Sequence, residues 1–126
     1  MRFMKSKALL IVIGSLMATT EAVARDYLLG RTILQEGRNR QAIIPITVCR
    51  RADEIQIQAE RDTFVTKVIV NFQNGSKQTV QFQRKFDRDE RSDWRKFTHT
   101  RCISSIQVHG RASDNQAVIK VYGRRD

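Results

Sequence analysis

Apolar and polar residues alternate with a period of two through much of this sequence, and this pattern constrains the fold more than any other feature. The segment 54–59 shows it cleanly, because Ile55, Ile57 and Ala59 are separated by glutamines. Neighbouring side chains of a β-strand point to opposite faces of a sheet, so the pattern predicts strands with one buried face. Six other segments also predict strands: residues 27–34, 42–48, 65–72, 78–83, 103–109 and 117–122.

The dipeptide Asn74-Gly75 lies between two of these segments and predicts a β-hairpin. Both residues tolerate the positive φ angles of a tight type I′ turn. We therefore expect the apolar residues on either side of the turn to share one buried face: Val68, Val70, Phe72, Val80 and Phe82.

Short strands separated by turn residues predict an all-β fold. A helical spacing of apolar residues is not sustained anywhere after residue 24. Pro45 interrupts the segment 42–48 and predicts an edge strand or a bulge, since proline has no backbone N–H to donate. We expect a single antiparallel two-sheet sandwich or jelly-roll-like domain of about seven or eight strands.

The first 24 residues have the composition of a secretory signal peptide. Three basic residues precede an apolar run of 13 residues (8–20), and the small residues Ala-Val-Ala (22–24) follow. We expect cleavage after Ala24, a mature domain of residues 25–126, and a periplasmic or secreted location. The apolar run is shorter than the about 20 residues that span a bilayer, and we expect no transmembrane segment in the mature chain.

Export changes what the two cysteines indicate. Disulfides persist in oxidising compartments, so Cys49 and Cys102 predict a disulfide bond rather than metal ligands or a reactive thiol. Each cysteine precedes a predicted strand with the same apolar-Gln-apolar pattern, at residues 55–57 and 106–108. If these strands are neighbours or face each other across the sandwich, a bond between their starts is geometrically reasonable.

The chain has a formal net charge of +10. Without residues 1–24, it has 20 basic and 12 acidic residues and a net charge of +8. This excess favours anionic partners, but for the charge taken by itself we expect a soluble surface of mixed charge. Residues 84–101 hold five arginines and two lysines against four carboxylates. They provide our candidate surface for an anionic ligand: Arg84, Arg91, Trp94, Arg95, Lys96 and Arg101.

Two side-chain types in this sequence have alternative interpretations. We expect Trp94 to plug one end of the core, and the alternative is a stacking platform for a sugar ring. We expect the outward glutamines of the predicted strands to be polar surface, and the alternative is hydrogen bonding to sugar hydroxyls or peptide: Gln56, Gln58, Gln81, Gln83 and Gln107.

Catalysis, metal binding and nucleic-acid binding have weaker support. The histidines His99 and His109 lack a nucleophile-elbow pattern nearby, so we expect surface histidines and no enzyme. Four carboxylates within residues 87–93 have the density of a calcium site, but interleaved basic residues favour self-neutralisation. We expect no metal and no cofactor. Export and the interleaved acids make nucleic acid an unlikely partner.

Several short motifs resemble the YaaI-like family of small exported bacterial proteins, whose function is not established. The motifs, in chain order, are Leu28-Leu29-Gly30, Val48-Cys49-Arg50, Asp93-Trp94, Arg101-Cys102-Ile103-Ser104 with Ile106, and Lys120-Val121-Tyr122-Gly123. The resemblance implies a periplasmic β-domain with one disulfide and carries over no catalytic residue.

The sequence therefore predicts an exported, non-enzymatic binding or structural module. Its expected partner is an anionic envelope polymer, such as lipopolysaccharide or a cell-wall polymer, or a periplasmic protein. The alternative is a small periplasmic hydrolase or an inhibitor-like regulator. These classes differ in whether a histidine meets carboxylates in a cleft.

Overall fold

The computed structural model describes residues 26–37, 40–98 and 101–125. The expected signal peptide and His99 lie outside these residues. The described residues form strands and no helix. The strands are β1 (Asp26–Gln35), β2 (Arg40–Pro45), β3 (Glu54–Ala59), β4 (Thr63–Phe72), β5 (Lys77–Phe86), β6 (Arg95–Lys96), β7 (Ile103–Ala112) and β8 (Gln116–Arg124).

Two four-stranded antiparallel sheets pack against each other and confirm the predicted sandwich. Sheet I has the strand order β1-β8-β3-β6, and sheet II has the order β2-β7-β4-β5. Strand β2 lies at the edge of sheet II, as Pro45 predicted, and ends at this proline rather than at the predicted Val48. Strands β5 and β7 each extend three residues beyond their predicted ends.

The core consists of the inward side chains of both sheets. Sheet I contributes Ile55 and Ile57 from β3 together with residues of β8, and sheet II contributes the face predicted around the hairpin. Full burial of each Val, Ile or Phe side chain stabilises the fold by about 1.5–3 kcal/mol. The five residues predicted to share that face are all buried: Val68, Val70, Phe72, Val80 and Phe82.

The β4–β5 hairpin has a different turn from the one predicted. Gly75 has a φ of 92° and donates its N–H to the oxygen of Phe72 at 3.0 Å, whereas Asn74 does not have a positive φ. The Asn74 side chain instead accepts a hydrogen bond from the N–H of Ser76 at 3.1 Å. A type I′ turn needs positive φ at both central residues, so the longer loop with one left-handed glycine replaces it.

The predicted disulfide between Cys49 and Cys102 is present, with 4.9 Å between the Cα atoms. It joins the segment that connects β2 of sheet II to β3 of sheet I to the residue before β7 of sheet II. The N–H of Ile103 also donates to the oxygen of Arg50 at 2.9 Å. Closing a loop with a sequence separation of 53 residues contributes about 4 kcal/mol in the chain-entropy model.

Candidate functional site

Most of the candidate surface lies on a segment that runs along the edge of β3, and we call residues 87–97 the edge segment. The N–H of Ser92 donates to the oxygen of Ile57 at 2.8 Å, and the Oγ of Ser92 accepts from the N–H of Ile57 at 3.0 Å. The N–H of Phe97 donates to the oxygen of Asp53 at 2.8 Å. The edge segment therefore satisfies backbone groups that β3 would otherwise expose, and it includes the unpredicted strand β6.

Glutamines of β3 hold the edge segment in place. Gln56 donates from Nε2 to the oxygen of Ser92 at 2.8 Å, and Gln58 donates to the oxygen of Asp89 at 3.3 Å. Tyr122 donates its hydroxyl to Oε1 of Gln58 at 3.2 Å. The predicted set of outward glutamines is thus divided between the sheets, because Gln81, Gln83 and Gln107 belong to strands of sheet II.

Two candidate arginines are paired with carboxylates. Arg84 forms an ion pair with Glu90, and its guanidinium lies 4.0 Å from the ring centroid of Phe86. The backbone N–H of Asp87, together with Arg84, lowers the pKa of Glu90. The interleaved acids and bases therefore neutralise each other at this position.

Arg95 connects the edge segment to sheet II. Its Nε donates to both carboxylate oxygens of Asp93, at 3.1 and 3.0 Å, and its Nη1 donates to the oxygen of Gln81 at 2.8 Å. Its guanidinium lies 4.5 Å from the ring centroid of Phe82. Arg95 thus covers the free edge of β5 while its charge is compensated.

Trp94 does not plug the core, and this corrects the expectation from the sequence. The side chain is half-buried and lies outside the core cluster. The guanidinium of Arg124 lies 4.3 Å from its ring centroid and also donates to Glu54 from Nε at 3.1 Å and from Nη2 at 3.3 Å. Glu54 is only 5% exposed, so Trp94 and Arg124 together cover a buried carboxylate on sheet I.

The other three candidate residues present their charges at the surface. Arg91 is exposed, donates to Oε1 of Gln56 at 3.3 Å, and lies 4.6 Å from the ring centroid of Tyr122. Lys96 is exposed on β6, and Arg101 is exposed beside the disulfide. The structure therefore gathers Arg84, Arg91, Trp94, Arg95 and Lys96 along one side of the sandwich. Within this group, Arg84 and Arg95 are paired with carboxylates.

His109 is half-buried rather than an ordinary surface histidine. It lies on β7 between Gln41 of β2 and Lys67 of β4 in the strand register. Burial, and secondarily the positive charge of Lys67, lower its pKa. Among the described residues, no three His, Cys, Asp or Glu side chains come together as a metal site.

A second cation-rich surface was missed by sequence reasoning. The outward positions of sheet II carry Lys67, Lys77, Lys85, His109 and Arg111, and we call this surface the basic face. The four strands of this sheet contain no aspartate or glutamate. The strand sequences do contain this signal, but assigning the cations to one face requires the strand order, which the sequence does not provide.

The chain matches the family described as Domain of unknown function (DUF2541) over residues 8–123. It belongs to this family. No curated protein and no solved structure matches the chain.

In this DUF2541 member, an open groove with a volume of about 500 Å³ lies on the outer side of sheet I. Ile33 and Val118 form its apolar part, and Glu60, at its rim, pairs with Lys120 at 3.0 Å. No helix among the described residues has the length and apolar character to cross a membrane.

Proposed function

We propose that this DUF2541 protein is an exported, non-enzymatic module that binds an anionic polymer of the bacterial envelope. The observation that carries the proposal is the exposed positive charge of Arg91 and Arg101, near arginines that are paired with carboxylates. The disulfide between Cys49 and Cys102 is compatible with an oxidising location outside the cytoplasm. A periplasmic protein with an acidic surface is the other partner class that this charge suits.

A binding role has more support than catalysis. In the strand register His109 lies between an amide and an ammonium group, and neither Gln41 nor Lys67 can orient an imidazole as a carboxylate does. The alternative of a small hydrolase or an inhibitor-like regulator has no supporting observation among the described residues.

The resemblance to YaaI-like exported proteins belongs to the same proposal. Its motifs surround groups with structural roles here: both cysteines of the disulfide, Trp94 beneath Arg124, and Tyr122 beneath Arg91. We therefore propose that these motifs maintain the sandwich and the edge segment rather than a reaction centre.

Co-sedimentation with purified lipopolysaccharide or peptidoglycan across a salt series tests the proposed function. We expect binding at low salt that weakens steeply as salt rises, because the Debye length falls to about 8 Å at physiological ionic strength. The variant Arg91→Gln/Arg101→Gln should weaken binding at least tenfold. Arg91 and Arg101 have no carboxylate partner among the described residues, so the fold should be retained.

The variant Arg31→Gln/Arg61→Gln is the matched control, because it removes the same charge from exposed positions elsewhere. We expect it to weaken binding much less. Absence of binding at low salt, or binding that is insensitive to salt, would contradict the proposed function.

A further inference from the structure

The outer surface of sheet II brings cations from three strands into register. Lys67 of β4 is paired with His109 of β7, and Phe64 of β4 is paired with both Arg111 of β7 and Lys85 of β5. Side chains of directly paired residues project from the same face, with Cβ atoms about 4.5–5.5 Å apart. These groups therefore lie close together on one surface.

The same surface continues along β5 to Lys77. Lys85 follows Lys77 by eight positions in the sequence, which corresponds to about 26 Å along a strand. Lys67 is paired with Gln81, midway between them. The positive charge is thus distributed along a line, which suits an extended anion better than a single small one.

A β-bulge lies at the centre of this surface. The register of β4 against β7 shifts between Val65 and Lys67, so Thr66 is an extra residue opposite His109 and its neighbour. The Oγ1 of Thr66 and the Nε2 of His109 are both buried and have no hydrogen-bond partner among the described residues. Buried polar atoms are normally satisfied, and bulges are frequent beside binding sites.

Uncharged polar groups accompany the cations. Gln41 and Gln107 are outward residues of β2 and β7, and Asn71 donates to the Oγ of Ser105 at 3.1 Å. Amides and hydroxyls of this kind hydrogen-bond sugar hydroxyls, while the guanidinium of Arg111 lies over the ring of Phe64, 4.8 Å from its centroid.

The apolar residues of this surface do not form a continuous patch. In the strand register, Gln107 lies between the exposed Ile43 and the half-buried Ile69. Insertion into a lipid surface requires a contiguous apolar face. The arrangement of amides between apolar residues favours a glycan over a bilayer.

We propose that the basic face binds a linear anionic glycan whose phosphate or carboxylate groups contact Lys67, Lys77, Lys85 and Arg111. This inference rests on the proposed function and deepens it, because it names the ligand class and adds a contact surface on the opposite sheet. The bulge that contains Thr66, beside His109, lies beneath the middle of this line of cations.

Calorimetric titration with a size-defined oligogalacturonate tests the inference. This probe is a carboxylated glycan, and its fully methyl-esterified form is an uncharged control with the same backbone. We expect the acid form to bind the wild-type protein and the ester to bind at least tenfold more weakly. The variant Lys67→Gln/Lys77→Gln/Lys85→Gln should lower the affinity for the acid form at least tenfold.

The variant Arg31→Gln/Arg61→Gln/Arg125→Gln removes the same charge elsewhere and should lower the affinity less than threefold. Circular dichroism of all variants establishes that they are folded. If the lysine variant binds like this control, the inference is overturned. If Arg91→Gln/Arg101→Gln abolishes binding at the same time, the proposed function still stands.

Two further outcomes separate the ligand classes. Binding to vesicles of anionic phospholipid, with no binding to oligogalacturonate, would overturn the glycan assignment. Absence of binding to oligogalacturonate, lipopolysaccharide and peptidoglycan at low salt would overturn both the inference and the proposed function.

His109 provides a readout at the site itself. A negative charge bound beside Lys67 favours the imidazolium, so the glycan should raise the pKa of His109 in an NMR titration. A glycan bound only at the edge segment would leave this pKa unchanged and would contradict the inference.

Discussion

The edge segment and the basic face are both rich in cations, yet the two regions use their charges differently. Arg95 of the edge segment pairs with Asp93, and Arg84 at the end of β5 pairs with Glu90 of that segment. The strands of the basic face contain no carboxylate. The density of charge along the sequence therefore identifies where cations occur, whereas their availability depends on partners that other parts of the fold bring to them.

The same contrast extends to the polar groups that are not charged. Gln56 and Gln58 of β3 are occupied by backbone oxygens of the edge segment. On the basic face, by contrast, a hydroxyl and an imidazole nitrogen stay buried and unsatisfied, at Thr66 and His109. Satisfied groups indicate a structural role, whereas these two atoms are exceptions to the rule that buried polar groups are hydrogen-bonded.

The largest loss of stability that would test this contrast is expected beside the edge segment, on substitution of Arg124. Replacing Arg124 by Met leaves the buried carboxylate of Glu54 without its partner and removes the cation above Trp94. Since 35% of the Arg124 side chain is exposed, the cost should be lower than that of a fully buried pair. We expect urea unfolding to show a loss of stability of about 1–3 kcal/mol.

The double variant Glu54→Gln/Arg124→Met is the control, since it removes both charges together. It should recover part of the lost stability. If Arg124→Met is as stable as the wild type, the arginine beside the edge segment does not stabilise the fold. The contrast between the edge segment and the basic face would then lose its support.

The sequence predicted the strands and the buried faces well, because strand periodicity depends on each strand's own residues. Segment 54–59 coincides with β3, and its alternating residues are fully buried. The disulfide was also predictable, since two cysteines leave one pairing and the expected export favours an oxidised pair.

The roles of the charged residues were not predictable, because they depend on contacts between distant segments. Ser92 has no strand-like neighbours in sequence, yet it pairs with Ile57, 35 residues away. Trp94 lies outside the core because Arg124, from the last strand, covers its ring. The basic face likewise requires the order β2-β7-β4-β5, which no local pattern specifies.

A smaller change in stability is expected when the positive charges of the basic face are removed. Neutralising Lys67, Lys77 and Lys85 to Gln breaks no pair with a carboxylate of the same sheet, because these strands have none. Thermal unfolding should therefore show a change within about 0.5 kcal/mol. Arg95→Gln, which releases Asp93 and the oxygen of Gln81, should be less stable than this triple variant.

Equal stability of Arg95→Gln and the lysine variant would remove the distinction between Arg95, which is paired with Asp93, and the three lysines. A large loss in the lysine variant would show instead that the basic face stabilises the fold.

The smallest expected effect is the pH dependence that His109 gives to the free energy of unfolding. Burial and Lys67 lower the pKa of His109 below its ordinary value of 6.5. In the pH window between that lowered pKa and 6.5, the unfolded chain binds a proton that the folded chain does not bind. The free energy of unfolding should therefore decrease as pH falls below about 6.5 and level off near the folded pKa. Urea unfolding at several pH values between 5 and 7.5 measures this decrease.

The substitution His109→Asn removes the imidazole that titrates. It should therefore remove the contribution of His109 to the pH dependence of the free energy of unfolding. The substitution Lys67→Gln should raise the pKa of His109 and narrow the window, because it removes the neighbouring positive charge. Carboxylates such as Glu90 titrate at lower pH and are common to all three proteins, so the difference from His109→Asn isolates the histidine. If the wild type and His109→Asn lose the same stability over this range, the imidazole does not experience the charge of the basic face. The contrast with the edge segment would then rest on the carboxylate pairs alone.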